Sequence, residues 1–208
     1  MDSQALIEQK LKIVRDRMVE TRSAFAALRA FNAIANRKDN PGLYKKLLPY
    51  GHFFHAANQS LKAFVLSNIV ALADTSGSAS LYRICRDLIN DDSCGVPKGE
   101  LRRWRTEISA VHNTWKDYRH KFISHISHEA DDFIDRFNSK GFSWDVMQEI
   151  LDDLACKLEF LDAAANGQPA PSVDEVHREV LGFDDLAIDT QEHTAQFLRA
   201  VEQHFPSP

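Results

Sequence analysis

The chain reads as an all-α protein, and three features of the sequence carry that reading. Eight glycines and seven prolines are spread over 208 residues, which leaves long uninterrupted stretches and favours helices over a turn-rich β fold. Apolar residues recur along those stretches at steps of three and four, the spacing of one helical face. A hydrophobic content of 44% is enough for one substantial core. We expect residues 1–165 to form a helical bundle and residues 166–208 a C-terminal helical extension.

Leu6, Leu11, Ile13, Val14, Met18, Phe25, Leu28, Phe31 and Ile34 mark a long first helix over about residues 3–37, stopped by Asn40-Pro41-Gly42. A short helical turn from Leu43 to Leu48 meets Pro49, and a second long helix covers about 51–73. Its apolar character on all sides predicts a buried element. Asp74 to Ser78 reads as a loop, 79–90 as a short helix and Asn90 to Gly99 as a second loop, before a long helix over about 98–126. His128 to Asn138 continues as an acidic helical piece, Gly141 breaks it, and Ser143 caps a helix to about Ala165. Ala164 to Pro171 reads as a linker. Ser172 and Glu175 form a capping box beyond it, and a last helix opens near Asp189 and runs to about Phe205.

Cys85, Cys94 and Cys156 are odd in number and lack C-x-x-C spacing, so they read as reduced, packed thiols rather than a disulfide framework or zinc ribbon. The start, Met1-Asp2-Ser3-Gln4, leads into a charged amphipathic stretch, and the most apolar run, Ala63 to Ala73, is interrupted by Ser67 and Asn68. A cytoplasmic protein with no membrane segment is expected.

The net charge of −5 is unevenly distributed. Residues 10–46 carry ten basic and three acidic side chains, and residues 98–121 carry seven and three. Residues 128–163 instead carry three basic and ten acidic side chains, and residues 166–208 two and eight. We expect the two basic segments to line one electropositive groove while the acidic ones face elsewhere; solvated helix faces are the plainer alternative.

Within the helix expected at 98–126, Leu101, Trp104, Ile108, Val111, Trp115, Tyr118, Phe122 and His125 form one buried stripe. Arg105, Ser109, His112, Lys116 and Arg119 form a polar stripe beside it. Trp104, Trp115 and Tyr118 carry faces suited to base stacking, but their regular spacing assigns them to the core. Three Arg–His pairs with four to six intervening residues occur, namely Arg105/His112, Arg119/His125 and Arg199/His204, and helical context singles out Arg119/His125. A guanidinium grips phosphoryl oxygens through fixed donors, and an imidazole titrating near neutrality moves a hydroxyl proton. Six residues of ideal helix separate the pair by roughly 120°, so two copies meeting about a twofold axis would have to interleave them. The alternative is a solvated arginine and a hydrogen-bonded core histidine.

The stretch Tyr118-Arg119-His120-Lys121-Phe122-Ile123-Ser124-His125 resembles the signature helix of HEPN-domain proteins, and the chain looks like the abortive-infection AbiU-type branch of that superfamily. The segment Asp74 to Arg83, whose short helix opens with serine and carries an arginine, and the cap Gly141-Phe142-Ser143-Trp144 are similar to the flanking parts of that domain. The resemblance spans roughly residues 5–165. It implies a HEPN-like bundle that dimerises and, in active members, cuts RNA without a metal ion, in antiviral defence or as a toxin paired with an antitoxin. By position, Arg119, His120 and His125 match the family's arginine, its following polar residue and its histidine. Silencing through a tyrosine two places after the histidine is not implied, because that place is Ser127.

The expected function is therefore a metal-independent endoribonuclease without cofactor, with catalytic Arg119, His120 and His125 shared across a homodimer. Arg105, His112, Lys116 and Lys121 are the expected RNA contacts. The alternative is a non-catalytic helical module that binds RNA or a partner protein. His52/His55 and His125/His128 have spacings that allow a shared metal, but no paired Glu-x-x-His motifs accompany them. No P-loop, G-x-G-x-x-G or G-x-S-x-G motif is present, so nucleotide binding and serine hydrolysis have no support.

Overall fold

The structure, a computed structural model, describes residues 3–34, 41–91, 94–125, 144–168, 190, 192–200 and 203. It is all-α: α1 (Ser3–Ile34), α2 (Pro41–Leu47) with a 3-10 turn at Leu48–Tyr50, α3 (Gly51–Leu72), α4 (Leu81–Ile89), α5 (Lys98–His125) and α6 (Trp144–Ala165). No strand occurs among the described residues. Residues 192–200 are also helical, within the span expected for the last helix, and Leu198 among them is buried. The acidic piece at 128–138, the Ser143 cap and the Ser172/Glu175 capping box lie outside the described residues.

Local chemistry sets the element ends. Ser80 caps α4 by accepting from the backbone N–H of Arg83 at 3.2 Å, and its hydroxyl donates to the Asp74 carbonyl at 2.6 Å, an N-cap tied to the preceding loop. The Glu100 amide donates to the Pro97 carbonyl at 2.9 Å, so α5 starts directly after the proline. α6 stops at Gly167, whose φ of 64° lets the Gln168 amide turn back to the Ala163 carbonyl.

One core joins all the long helices. Ile7, Leu11, Val14 and Met18 from α1 meet Val65, Leu66 and Ile69 of α3, Leu81, Ile84 and Leu88 of α4, Leu101 and Ile108 of α5, and Leu151, Leu154 and Leu158 of α6. Directions follow from named contacts. Arg15 meets Asp162, Arg22 meets Asp152 and Arg29 meets Gln148, so α1 and α6 are antiparallel. Trp104 stacks on Phe160 and Glu107 meets Lys157, so α5 opposes α6 and runs with α1. Asn58 at the start of α3 bonds Asn32 near the end of α1, and α3 then runs back through the core, antiparallel to both α1 and α5.

Two expectations are corrected here. α3 is not buried throughout. Val65, Leu66, Ile69, Val70 and Leu72 are buried, but Phe53 is 68% exposed and Phe64 is also exposed. Nor do Lys10, Arg15 and Arg22 of the basic segment 10–46 line a groove apart from carboxylates. Lys10 pairs with Asp87 at 2.6 Å, Arg15 with Glu159 at 3.1 Å, and Arg22 with Asp152 at 2.7 Å. Arg15, Arg22 and Arg29 are spaced by sevens and so share one side of α1, the side against acidic α6, where opposite charges leaving water together attract most strongly.

Candidate active site on α5

α5 is one continuous helix from Lys98 to His125. Arg119 and the His125 backbone therefore stand about 9 Å apart along one rod and about 120° around it. The side chains of Lys121, Phe122 and His125 lie outside the described residues, as does the whole of His128.

The described part of α5 revises the expected stripes. Its buried positions are Leu101, Trp104, Ile108, His112 and Trp115, while Val111 and Tyr118 are half-buried. His112, expected among the polar RNA contacts, is only 7% exposed, and its Nδ1 lies 3.5 Å from the Val70 carbonyl of α3. A three-and-four spacing admits either 111 or 112 as the middle of the stripe, and the packing of α3 and α4 against this side selects 112. Arg105, one heptad earlier, is half-buried with its guanidinium carbon 5.8 Å from the centroid of the Tyr82 ring of α4, a cation–π distance.

Arg119 belongs to this same side. It lies four residues past Trp115 and seven past His112, within about 20° of the latter's direction, and it is half-buried. Lys116 and His120 are exposed. Among the described residues Arg119, Lys116 and His120 make no ion pair. Trp104 and Trp115 are buried, and Trp104 stacks on Phe160 with centroids 5.3 Å apart; both belong to the core, as their spacing indicated.

The antiparallel neighbour of Arg119 is the middle of α3. Seven residues forward from His112 is Arg119, and seven back from Val70 is Ala63, so Arg119 stands level with Lys62, Ala63 and Phe64. Lys62 continues the buried side of α3 set by Val65, Leu66 and Ile69. It is half-buried, burial holds its ammonium below the usual lysine range, and among the described residues no carboxylate meets it. Sequence reasoning passed over Lys62. The available signal was the stretch from Pro41 to Ala73, which holds three lysines and two histidines and not one Asp or Glu.

At the other end of α3, Asp74 closes the turn to α4 by accepting from the Ser76 amide and hydroxyl at 2.8 and 2.9 Å. Burial pushes its carboxyl up, but the bonds from Ser76 and Gly77 and the nearby His112 outweigh that and hold it below its ordinary range. The three cysteines are free, and burial pushes the Cys85 thiol up to about 12. His52 and His55 are both exposed, and among the described residues no group of three or more His, Cys, Asp and Glu side chains is placed to hold a metal ion. No described helix is long and apolar enough to cross a membrane. No family model matches this chain, and no curated protein and no solved structure matches it either.

Proposed function

We propose that the protein is a cytoplasmic, metal-independent endoribonuclease of the HEPN type, a toxin or antiviral abortive-infection effector whose active cleft forms between two copies of α5. One observation carries the reading: the arginine of the R-x(5)-H pair stands half-buried, without a carboxylate partner among the described residues, where the core-facing side of α5 reaches the end of an all-helical bundle.

The chemistry follows from the residue types. His125 takes the proton of a ribose 2′-hydroxyl, and the oxygen attacks the adjacent phosphorus. The P–O5′ bond breaks, His120 supplies the proton to the leaving oxygen, and the products are a 2′,3′-cyclic phosphate and a 5′-hydroxyl. Arg119 holds the non-bridging oxygens as charge builds on them. Lys116 and Lys121 are assigned to the RNA backbone. Arg105 and His112 are assigned to holding α5 against α4 and α3, which fits their contacts with Tyr82 and Val70. An antitoxin partner that restrains this activity is part of the proposal.

The test is incubation of the purified protein and its His125→Ala variant with mixed single-stranded RNAs in EDTA. Cleavage by the first and not the second is the expected result. Tight RNA or partner binding without cleavage would replace the nuclease with a helical binding module, and cleavage abolished by EDTA would replace it with a metal enzyme. Sedimentation should show a dimer.

A further inference from the structure

The junction between α2 and α3 leaves apolar surface in water. Leu48 is 62% exposed, Tyr50 42% and Phe53 68%, and they are held close together because the 3-10 turn at Leu48–Tyr50 runs directly into α3. Single exposed apolar side chains, such as Trp144 at the start of α6, are ordinary. Three between positions 48 and 53 form a patch, and such a patch marks a contact surface.

The outermost ring of this patch is braced. Phe53 meets Phe54 edge to face, with centroids 5.3 Å apart and planes at 80°, and Phe54 is stacked on Phe31 of α1 at 5.6 Å. Phe53 is supported from one side while most of its surface stays open, so it has little freedom left to lose when a ligand covers it.

Cations alternate with the rings. Lys45, His52 and His55 are exposed, and among the described residues none of them forms an ion pair. The stretch from Pro41 to Ala73 has no Asp or Glu, so nothing within it repels an anion. Because α3 is antiparallel to α5, its start lies at the same end of the bundle as Lys116, Arg119 and His120. A ligand that alternates flat apolar faces with negative charges matches this surface. In a single strand the bases are free to stack on rings while the phosphates meet cations, whereas a duplex hides its base faces.

We propose that Tyr50 and Phe53 form a base-stacking platform for single-stranded RNA, with Lys45, His52 and His55 as its phosphate contacts. The proposal deepens the ribonuclease reading and rests on it for RNA as the ligand. It makes the start of α3 a second docking point, apart from the catalytic residues of α5.

Fluorescence anisotropy of the full-length chain with a labelled oligouridylate of about twelve nucleotides tests this, on a His125→Ala background that leaves RNA intact. Phe53→Ala should raise Kd about tenfold, the loss of one stacked base. Phe53→Leu, apolar but without a flat face, should raise it as much, and Phe53→Tyr should stay within about twofold of the parent. Lys45→Met should raise Kd about threefold at low salt and make it less sensitive to salt. Ile13→Ala, at an exposed apolar position on α1, should change nothing. A Phe53→Leu protein that binds as well as the parent overturns the stacking platform, and so does an unchanged Kd in Phe53→Ala. In the latter case, sedimentation with phosphatidylcholine–phosphatidylserine vesicles, or a dimer, that Phe53→Ala abolishes would assign the patch to a membrane or to a second copy instead. If Kd responds to Phe53 but the wild type cuts no RNA, the platform stands and the nuclease reading falls. If the wild type cuts RNA and Kd ignores Phe53, the reverse holds. A far-UV spectrum of each variant separates a folding defect from a binding one.

Discussion

The cations of α1 and those where α3 meets the end of α5 look alike in the sequence and do opposite things in the fold. Lys10, Arg15 and Arg22 each meet a carboxylate of α4 or α6, and Arg22 does so while only 3% exposed. Lys62, Lys116 and Arg119 meet none among the described residues. A basic run on a helix is therefore no measure of a polyanion site. What distinguishes the two regions is the charge of the packing neighbour: α1 lies along acidic α6, whereas α3 contains no Asp or Glu at all. Positive charge left over after packing is what an RNA phosphate would meet.

The largest effect that separates the regions should come from stability. Asp152→Ala removes the carboxylate that meets the buried Arg22 guanidinium at 2.7 Å, and we expect a loss of about 3 kcal/mol in urea unfolding, near the low end for a broken buried pair because Asp152 is itself 38% exposed. Arg22→Met combined with Asp152→Leu should recover most of that loss, since an apolar pair of similar volume has no charge to desolvate. A single Asp152→Ala variant as stable as the wild type would mean that α1 is not held to α6 through this pair.

Lys62→Met should move the other way by a smaller amount. Removing a half-buried ammonium that has no carboxylate is expected to raise unfolding stability by about 1 kcal/mol. The comparison then has a clear signature: substitution of the pairing network on α1 destabilises the bundle, and substitution of Lys62 on α3 stabilises it. Equal destabilisation at both places would erase the distinction.

Much of this architecture was legible in advance because helix ends and periodicity are local. Ser80 and Pro97 place the starts of α4 and α5, and the three-and-four spacing marked Leu101, Trp104, Ile108 and Trp115 as core. What was not legible depends on neighbours. Whether 111 or 112 completes the α5 side was decided by Val70 across the interface. Whether α3 is buried on all sides depends on where the bundle ends, which its own composition does not encode. The pairing of α1 with α6 needed their antiparallel register, and Lys62 gained interest only once its core-facing position stood level with Arg119.

The smallest expected effect concerns the opposite end of α3, where the charge arrangement is reversed. There the helix closes on Asp74, whose carboxyl is held below its ordinary range in the fold. A carboxyl with a depressed folded pKa contributes stability above its unfolded value of roughly 3.9, and that contribution disappears as pH falls through the lower folded value. Unfolding free energy compared between wild type and Asp74→Asn should therefore differ at neutral pH, with the wild type the more stable, and the difference should shrink as pH falls below about 4. The hydrogen bonds from Ser76 are what the carboxylate gains over an amide in that turn. A difference that stays constant down to pH 2 would show that Asp74 acts in that turn through shape alone.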